Sequence, residues 1–222
     1  MPHAHLGLGA LMQAYPTPET PNVPEYRFSL DGGGRDLLTE YFRANDTKLV
    51  LELGCFLCGS VLQWLESKSD LIVIGVDPWE GKWHEIIERY IPNPVFDSCF
   101  KGINDRHAFA ASLKAHGPYL SSMANLQRYR DRFVPLVGKS PEKLYELKGR
   151  QISPDFIYFD NDKGLADLNV ALELFPDATL GGDDWTWGKD QGLPVQKAVK
   201  QFCERHGFDY EARRATWIIR KD

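Results

Sequence analysis

The chain is poor in cysteine: four in 222 residues is too sparse for the bridged framework of a small secreted scaffold. It has no apolar run near the ~18–20 residues that a membrane span needs. It lacks a basic excess, since 26 Lys and Arg stand against 31 Asp and Glu. That net charge of −5 argues against a protein whose main business is gripping nucleic acid. The opening, MPHAHLGLGALMQAYP, has no Lys or Arg before its brief apolar stretch and makes a poor signal peptide. A GxGxxG fingerprint is also missing, which disfavours a nicotinamide-linked dehydrogenase. What is present is ordinary globular composition, 43% hydrophobic and 26% charged, at a length that suits one domain. The expectation is a soluble, cytoplasmic protein with reduced thiols. Its partner is a small molecule, not nucleic acid or membrane, and a homo-oligomer is compatible with the sequence.

Residues 1–30 stand apart, punctuated by Pro2, Pro16, Pro18, Pro21 and Pro24. Proline at that density forbids a long helix, which leaves an arm that either packs over a cleft or is disordered. Asp31-Gly32-Gly33-Gly34 marks a turn, and Leu37, Leu38, Tyr41 and Phe42 then recur at helical spacing.

From Asp46 onward short strands and helices alternate within one domain, residues 31–222. Residues 48–53 (KLVLEL), 71–76 (LIVIGV), 132–137 (RFVPLV), 155–159 (DFIYF) and 216–219 (TWII) are near-continuous apolar runs. Continuous rather than alternating apolar strands predict a sheet covered on both faces, hence a mostly parallel one. Helical patterns fall at 60–67, 141–147, 165–175 and 194–205. That alternation predicts a doubly wound α/β fold. Residues 79–130 break the rhythm with Pro92, Pro94, Gly102, Gly117 and Pro118 between short helical pieces. An insertion at this place predicts a helical cap on the substrate side.

Four segments carry chemistry. Glu52-Leu53-Gly54-Cys55-Phe56-Leu57-Cys58-Gly59-Ser60 follows the first buried strand and opens a helix, its glycines allowing a tight turn and a close ligand approach. A carboxylate beside the first glycine suits a cationic sulfonium better than a pyrophosphate. Asp77 ends the second strand about twenty residues later, placed to accept hydrogen bonds from ribose hydroxyls, with Trp79 able to flank a nucleoside. The third and fourth segments, Asp160-Asn161-Asp162-Lys163 and Gly181-Gly182-Asp183-Asp184, each emerge from a buried strand. If those strands are neighbours about 4.8 Å apart, the four carboxylates share one cleft edge and call for a cation. Oxygen ligation of this kind suits Mg²⁺ or a similar hard divalent ion. Asp183 and Asp184 reach one ion only if the chain turns, as Gly181 and Gly182 permit. Cys55 and Cys58 form a CxxC without a partner pair, so they read as small fillers of the glycine loop.

ELGxxxxGS, GVDxW, DFIYFDxD and GGDDW, in this order, resemble the class I S-adenosylmethionine-dependent methyltransferases. The last two motifs resemble the metal-dependent branch typified by macrocin O-methyltransferase-like enzymes, which methylate sugar hydroxyls of natural products. The resemblance runs from about residue 49 to the C-terminus. It implies a Rossmann-like fold, S-adenosyl-L-methionine as cofactor, a divalent ion such as Mg²⁺ and a small hydroxylated acceptor. By the resemblance, Glu52, Gly54, Gly59 and Asp77 belong to the cofactor pocket, with Phe56, Ser60, Trp79 and Asp160 around it and Ser140 at the adenine end. Asp160, Asp183 and Asp184 match the metal ligands, and Asp162 the catalytic base. The chain departs from the family in reading Asp-Asn-Asp-Lys where Asp-Gly-Asp-His or Asp-Gly-Asp-Tyr is usual. Lys163 therefore joins Asp162 as a candidate catalytic residue, and could itself supply the cation instead of a metal.

Overall fold

The computed structural model describes residues 7–162 and 165–221. Seven strands form one sheet in the order β3-β2-β1-β4-β5-β7-β6. They are β1 (Leu49–Leu53), β2 (Ile72–Asp77), β3 (Phe133–Val137), β4 (Phe156–Phe159), β5 (Thr179–Gly182), β6 (Asp209–Arg213) and β7 (Thr216–Arg220). The first five pair in parallel, while β7 runs antiparallel to both β5 and β6. The expected Rossmann-like α/β architecture is what the chain adopts.

Strand alternation sorts the apolar residues onto two faces. Leu49, Leu51, Leu53, Ile74, Val76, Val134, Ile157 and Leu180 point to one core. Helices α1 (Leu8–Ala14), α6 (Glu142–Gly149), α7 (Leu168–Leu174) and α8 (Pro194–His206) cover it. Val50, Val73, Phe133, Phe156, Tyr158 and Ile218 point to the other, under α2 (Asp36–Ala44), α3 (Gly59–Ser67) and the end of α5 (Arg106–Asn125). Every residue of β1 is buried, which is why that strand reads as an unbroken apolar run. The sequence reading lacks β6, whose exposed and half-buried residues (DYEAR) carry no apolar pattern because the strand lies on the sheet's edge.

From residue 7 onward the arm is packed, and it contains a short helix. Leu8 and Leu11 of α1 enter the first core. Thr17 donates from Oγ1 to the Phe133 carbonyl at 3.1 Å, and Gln127 donates from Nε2 to the Pro18 carbonyl at 2.7 Å. Further on, Phe28 is buried with Ile87, Phe100, Phe109 and Leu113 in a third cluster. That cluster ties the arm to the insertion, which holds α4 (Trp83–Tyr90), a 3-10 turn (Pro94–Phe100) and α5. Gly117 at φ 76 followed by Pro118 kinks α5. Its C-terminal half then leads into β3, and the expected cap segment before α5 contributes Trp83, Tyr90 and Phe96 to the cleft described below.

Strand order reverses between β2 and β4 on either side of β1. At such a switch point the loops after neighbouring strands diverge and leave a crevice at the strand C-terminal ends. This crevice, a cleft of about 1060 Å³, is lined by residues following β1, β2, β3, β4 and β5 and by the arm and the cap.

Candidate functional site

The loop after β1 turns at Gly54, whose φ is +86 and whose added Cβ would lie 2.6 Å from the Asp160 carbonyl oxygen. Phe56 (φ 48) and Cys58 (φ 62) then take left-handed conformations that L-residues enter at a cost of about 1–2 kcal/mol each. Asp77 holds this loop in place. Its Oδ2 accepts the amides of Cys55 at 2.9 Å and Phe56 at 3.0 Å, and its Oδ1 accepts the Trp79 amide at 2.6 Å. Burial raises the carboxyl's pKa and these three amides oppose the rise. Gly54, Phe56, Gly59, Ser60, Asp77, Ser140 and Asp160 all line the cleft.

Two residues expected in the pocket are absent from its wall. Glu52 is fully buried below it. One of its oxygens accepts the Ser60 hydroxyl and the other the Trp64 indole N–H at 2.8 Å, so it ties β1 to α3. Desolvation pushes Glu52 up to about 7, against the pull of Ser60, Arg35 and Trp64. Trp79 is buried against Tyr119, with its indole N–H bonded to the Phe56 carbonyl at 3.0 Å. Trp83, four residues on, lines the cleft instead, its ring 4.5 Å from that of Phe56. Gly59 also has a different reason from the one expected. An added Cβ would lie 2.7 Å from the Ser29 side chain and 2.8 Å from the Phe28 carbonyl, so the packing of the arm already requires this glycine, which also lines the cleft.

The carboxylates do gather. β4 and β5 pair with Phe159 opposite Gly182, so Asp160 and Asp183 leave adjacent strand ends, and Asp160, Asp162, Asp183 and Asp184 all line the cleft. Asp162 is exposed, with Oδ2 accepting the Ala166 amide at 3.3 Å. Lys163 lies outside the described residues. The turn that parts Asp183 from Asp184 comes at Asp184 itself (φ 64). Gly181 and Gly182 remain in the strand, where a Cβ would meet Phe156 and Trp217 within 2.6 Å, so close packing and not turning demands them.

Within this cluster stands a residue that sequence reading missed. Arg35 is 3% exposed, and its Nη2 donates to Asp183 Oδ2 at 3.0 Å and to the Leu30 carbonyl at 2.8 Å. Its Nη1 donates to the Ser29 hydroxyl at 3.1 Å. Burial opposes its charge, but Tyr158, Asp183, Asp31 and Asp160 nonetheless raise its pKa well above the ordinary guanidinium value. Burial likewise raises the Asp183 carboxyl, with Arg35 opposing. A lone arginine after Asp-Gly-Gly-Gly gives no sign of this; its only sequence signal is its place just before a helix, where a cation opposes the helix dipole.

The expected divalent ion does not fit this arrangement. Asp183 has one oxygen on Arg35 and the other accepting the Asp184 amide at 2.9 Å. Among the described residues, no group of three or more His, Cys, Asp and Glu side chains could hold a metal ion. Asp160, Asp183 and Asp184 thus do not form such a group among the described residues, and a guanidinium faces Asp183. S-adenosylmethionine does fit. Ser140 Oγ is buried on the cleft wall with no hydrogen-bond partner among the described residues, and Asp77 oxygens have lone pairs beyond the three amides they accept.

Other unanticipated wall residues come from the cap. Tyr90 and Phe96 stack at 3.9 Å between ring centroids, and Ile86 and Val95 lie beside them on the wall. Trp187, 40% exposed, faces the cleft from the loop after β5. Cys55 and Cys58 are buried free thiols, as expected of fillers, and burial raises the pKa of both.

No protein-family model matches the chain, and no curated protein sequence matches it. Solved structures do. It is similar to a putative caffeoyl-CoA O-methyltransferase from Staphylococcus aureus at TM-score 0.54 and 14% identity, covering 97% of this chain and 90% of that one. An O-methyltransferase from Bacillus cereus in complex with SAH is similar at TM-score 0.53 and 15% identity, with 96% and 87% covered. The O-methyltransferase TomG from Streptomyces achromogenes, involved in tomaymycin synthesis and in complex with SAM, follows at TM-score 0.51 and 15% identity, with 86% and 80% covered. Likeness at this identity establishes the fold: the chain has the Rossmann-like seven-stranded fold of the class I methyltransferases.

Proposed function

We propose that the chain is an S-adenosylmethionine-dependent O-methyltransferase acting on a small hydroxylated acceptor, a sugar or another natural product. One observation carries the reading. A single cleft at the point of strand reversal is lined both by a glycine loop with its acidic partner, Gly54 and Asp77, and by the carboxylates that end β4 and β5. The SAH and SAM bound in two neighbours of the same fold support it.

S-adenosylmethionine, when bound, supplies an already activated methyl group on a sulfonium. The residues that would hold it are the loop from Gly54 to Ser60, Asp77 through its remaining lone pairs, and Ser140 through a hydroxyl that otherwise stays unsatisfied in the wall. Phe56 and Trp83 give that pocket an apolar side. Trp83, Tyr90, Phe96 and Trp187 offer the acceptor an aromatic surface that excludes water. Asp162, exposed at the cleft, accepts the hydroxyl proton. The chain's work is thus to hold the hydroxyl in line and take its proton. Four free thiols agree with a reducing, cytoplasmic setting.

Calorimetric titration with S-adenosylhomocysteine tests the reading. Wild-type protein should bind it, and Asp77→Ala should lose about 1–3 kcal/mol of affinity with its charge-assisted hydrogen bonds. A wild-type chain that binds neither this product nor S-adenosylmethionine overturns the proposal.

A further inference from the structure

Asn125, the last residue of α5, is buried between two segments that both line the cleft. Its Oδ1 accepts the Tyr26 amide at 2.8 Å, and its Nδ2 donates to the Leu57 carbonyl at 3.3 Å. Tyr26 belongs to the arm, which with the turn that follows lines the cleft through residues 28–32. Leu57 belongs to the glycine loop, which lines it through Gly54, Phe56, Gly59 and Ser60. We propose that Asn125 is a positioning residue that couples the arm to the cofactor loop: filling the pocket steadies the arm, and a seated arm strengthens the hold on the cofactor. The identity of that cofactor rests on the methyltransferase reading above, and the coupling itself does not.

Three features argue for it. The contacts dictate the residue type, because a backbone N–H needs an acceptor, a carbonyl needs a donor, and a short amide side chain offers both. The loop needs holding, because Phe56 and Cys58 on either side of Leu57 take φ of 48 and 62. Ser122, three residues before Asn125 on the same helix face, donates from Oγ to the Phe56 carbonyl at 3.0 Å. The end of α5 thus grips two consecutive carbonyls of the loop. Finally, arm and loop lie close enough for a shift of one to matter to the other. The Phe28 ring is 6.1 Å from that of Phe56 and edge-on to it, and Ser29 leaves no room for a side chain at Gly59.

Hydrogen–deuterium exchange of the full-length chain, with and without S-adenosylhomocysteine, tests the coupling alongside calorimetry and thermal melts. In wild type the ligand should slow exchange by about fivefold or more at residues 54–60 and also at residues 26–32. Asn125→Leu should keep the protection at 54–60, lose most of it at 26–32, and bind S-adenosylhomocysteine about fivefold or more weakly, since coupling is reciprocal. A merely structural asparagine would lower the melting temperature and leave affinity and arm protection unchanged, which overturns the proposal. Protection of 26–32 by direct contact with the ligand would persist in Asn125→Leu, and that result overturns it too. Ser122→Ala decides the matter without ligand, and does so even if Asn125→Leu does not fold. Loosening the loop there should speed exchange at 26–32 as well as at 54–60, and a response confined to the loop overturns the coupling. A wild-type chain that binds no S-adenosylhomocysteine sinks the methyltransferase reading and leaves the role of Asn125 to the Ser122→Ala result.

Discussion

Arg35 and Asp183 are 148 positions apart, yet Arg35 Nη2 donates to Asp183 Oδ2 at 3.0 Å with the two side chains 3% and 7% exposed. The contact joins the turn before α2 to the end of β5. It therefore fastens the N-terminal part of the chain onto the sheet edge from which the cleft opens.

A buried pair of this kind is costly to break from either side. Arg35→Met and Asp183→Leu should each lower stability by about 3–5 kcal/mol, because each strands an uncompensated charge. The double variant should lose clearly less than the sum, since two apolar side chains leave nothing unpaired. Urea denaturation at neutral pH measures all three, and additive losses would show that the two residues are not coupled.

Glu52 gives stability an unusual pH dependence. Its folded value of about 7 stands above the ordinary 4.5, so between those values the native chain holds a proton that the unfolded chain has released. Stability from this group is therefore greatest below pH 4.5 and falls as pH rises to about 7, by about 3 kcal/mol in all. Above that window the cost is constant. Glu52→Gln should flatten this slope in denaturation curves taken across the window. An unchanged slope would mean that Glu52 stays ionised in the native protein.

Ser140→Ala separates binding from folding. Its hydroxyl has no partner among the described residues, so the variant should melt within about 0.5 kcal/mol of wild type. Affinity for S-adenosylhomocysteine should drop by about 0.5–1.5 kcal/mol if the cofactor is what satisfies that hydroxyl. Unaltered calorimetric affinity would remove Ser140 from the pocket.

Two glycines should respond in opposite ways. At Gly59 a methyl group meets Ser29 and Phe28 at 2.7–2.8 Å, so Gly59→Ala should cost about 1–3 kcal/mol and loosen the arm, with faster tryptic cleavage at the exposed Arg27. At Gly149, the last residue of α6, a Cβ meets nothing within 4 Å. Gly149→Ala should be neutral or gain up to about 1 kcal/mol of helix stability. Thermal melts of the pair check both signs.

Much of the fold is legible in the sequence because burial on both faces leaves a mark that needs no partner to be read. β1 to β4 and β7 are continuous apolar runs for that reason, and α8 shows its Val195, Val199 and Phe202 stripe because only one side meets the sheet. The glycine loop, Asp77 and the convergence of Asp160 with Asp183 are legible too, since strand ends and turn residues place them locally. Tertiary structure decided the rest. Whether Trp79 or Trp83 faces the cleft depends on which side of the chain the cap closes over. That Gly59 must leave room for the arm depends on where Phe28 docks, thirty-one positions earlier in the chain. The need for a cation could be read from four aspartates, but its source could not. Charge compensation acts through space, and the guanidinium that meets Asp183 comes from a turn that the sequence places far from that strand.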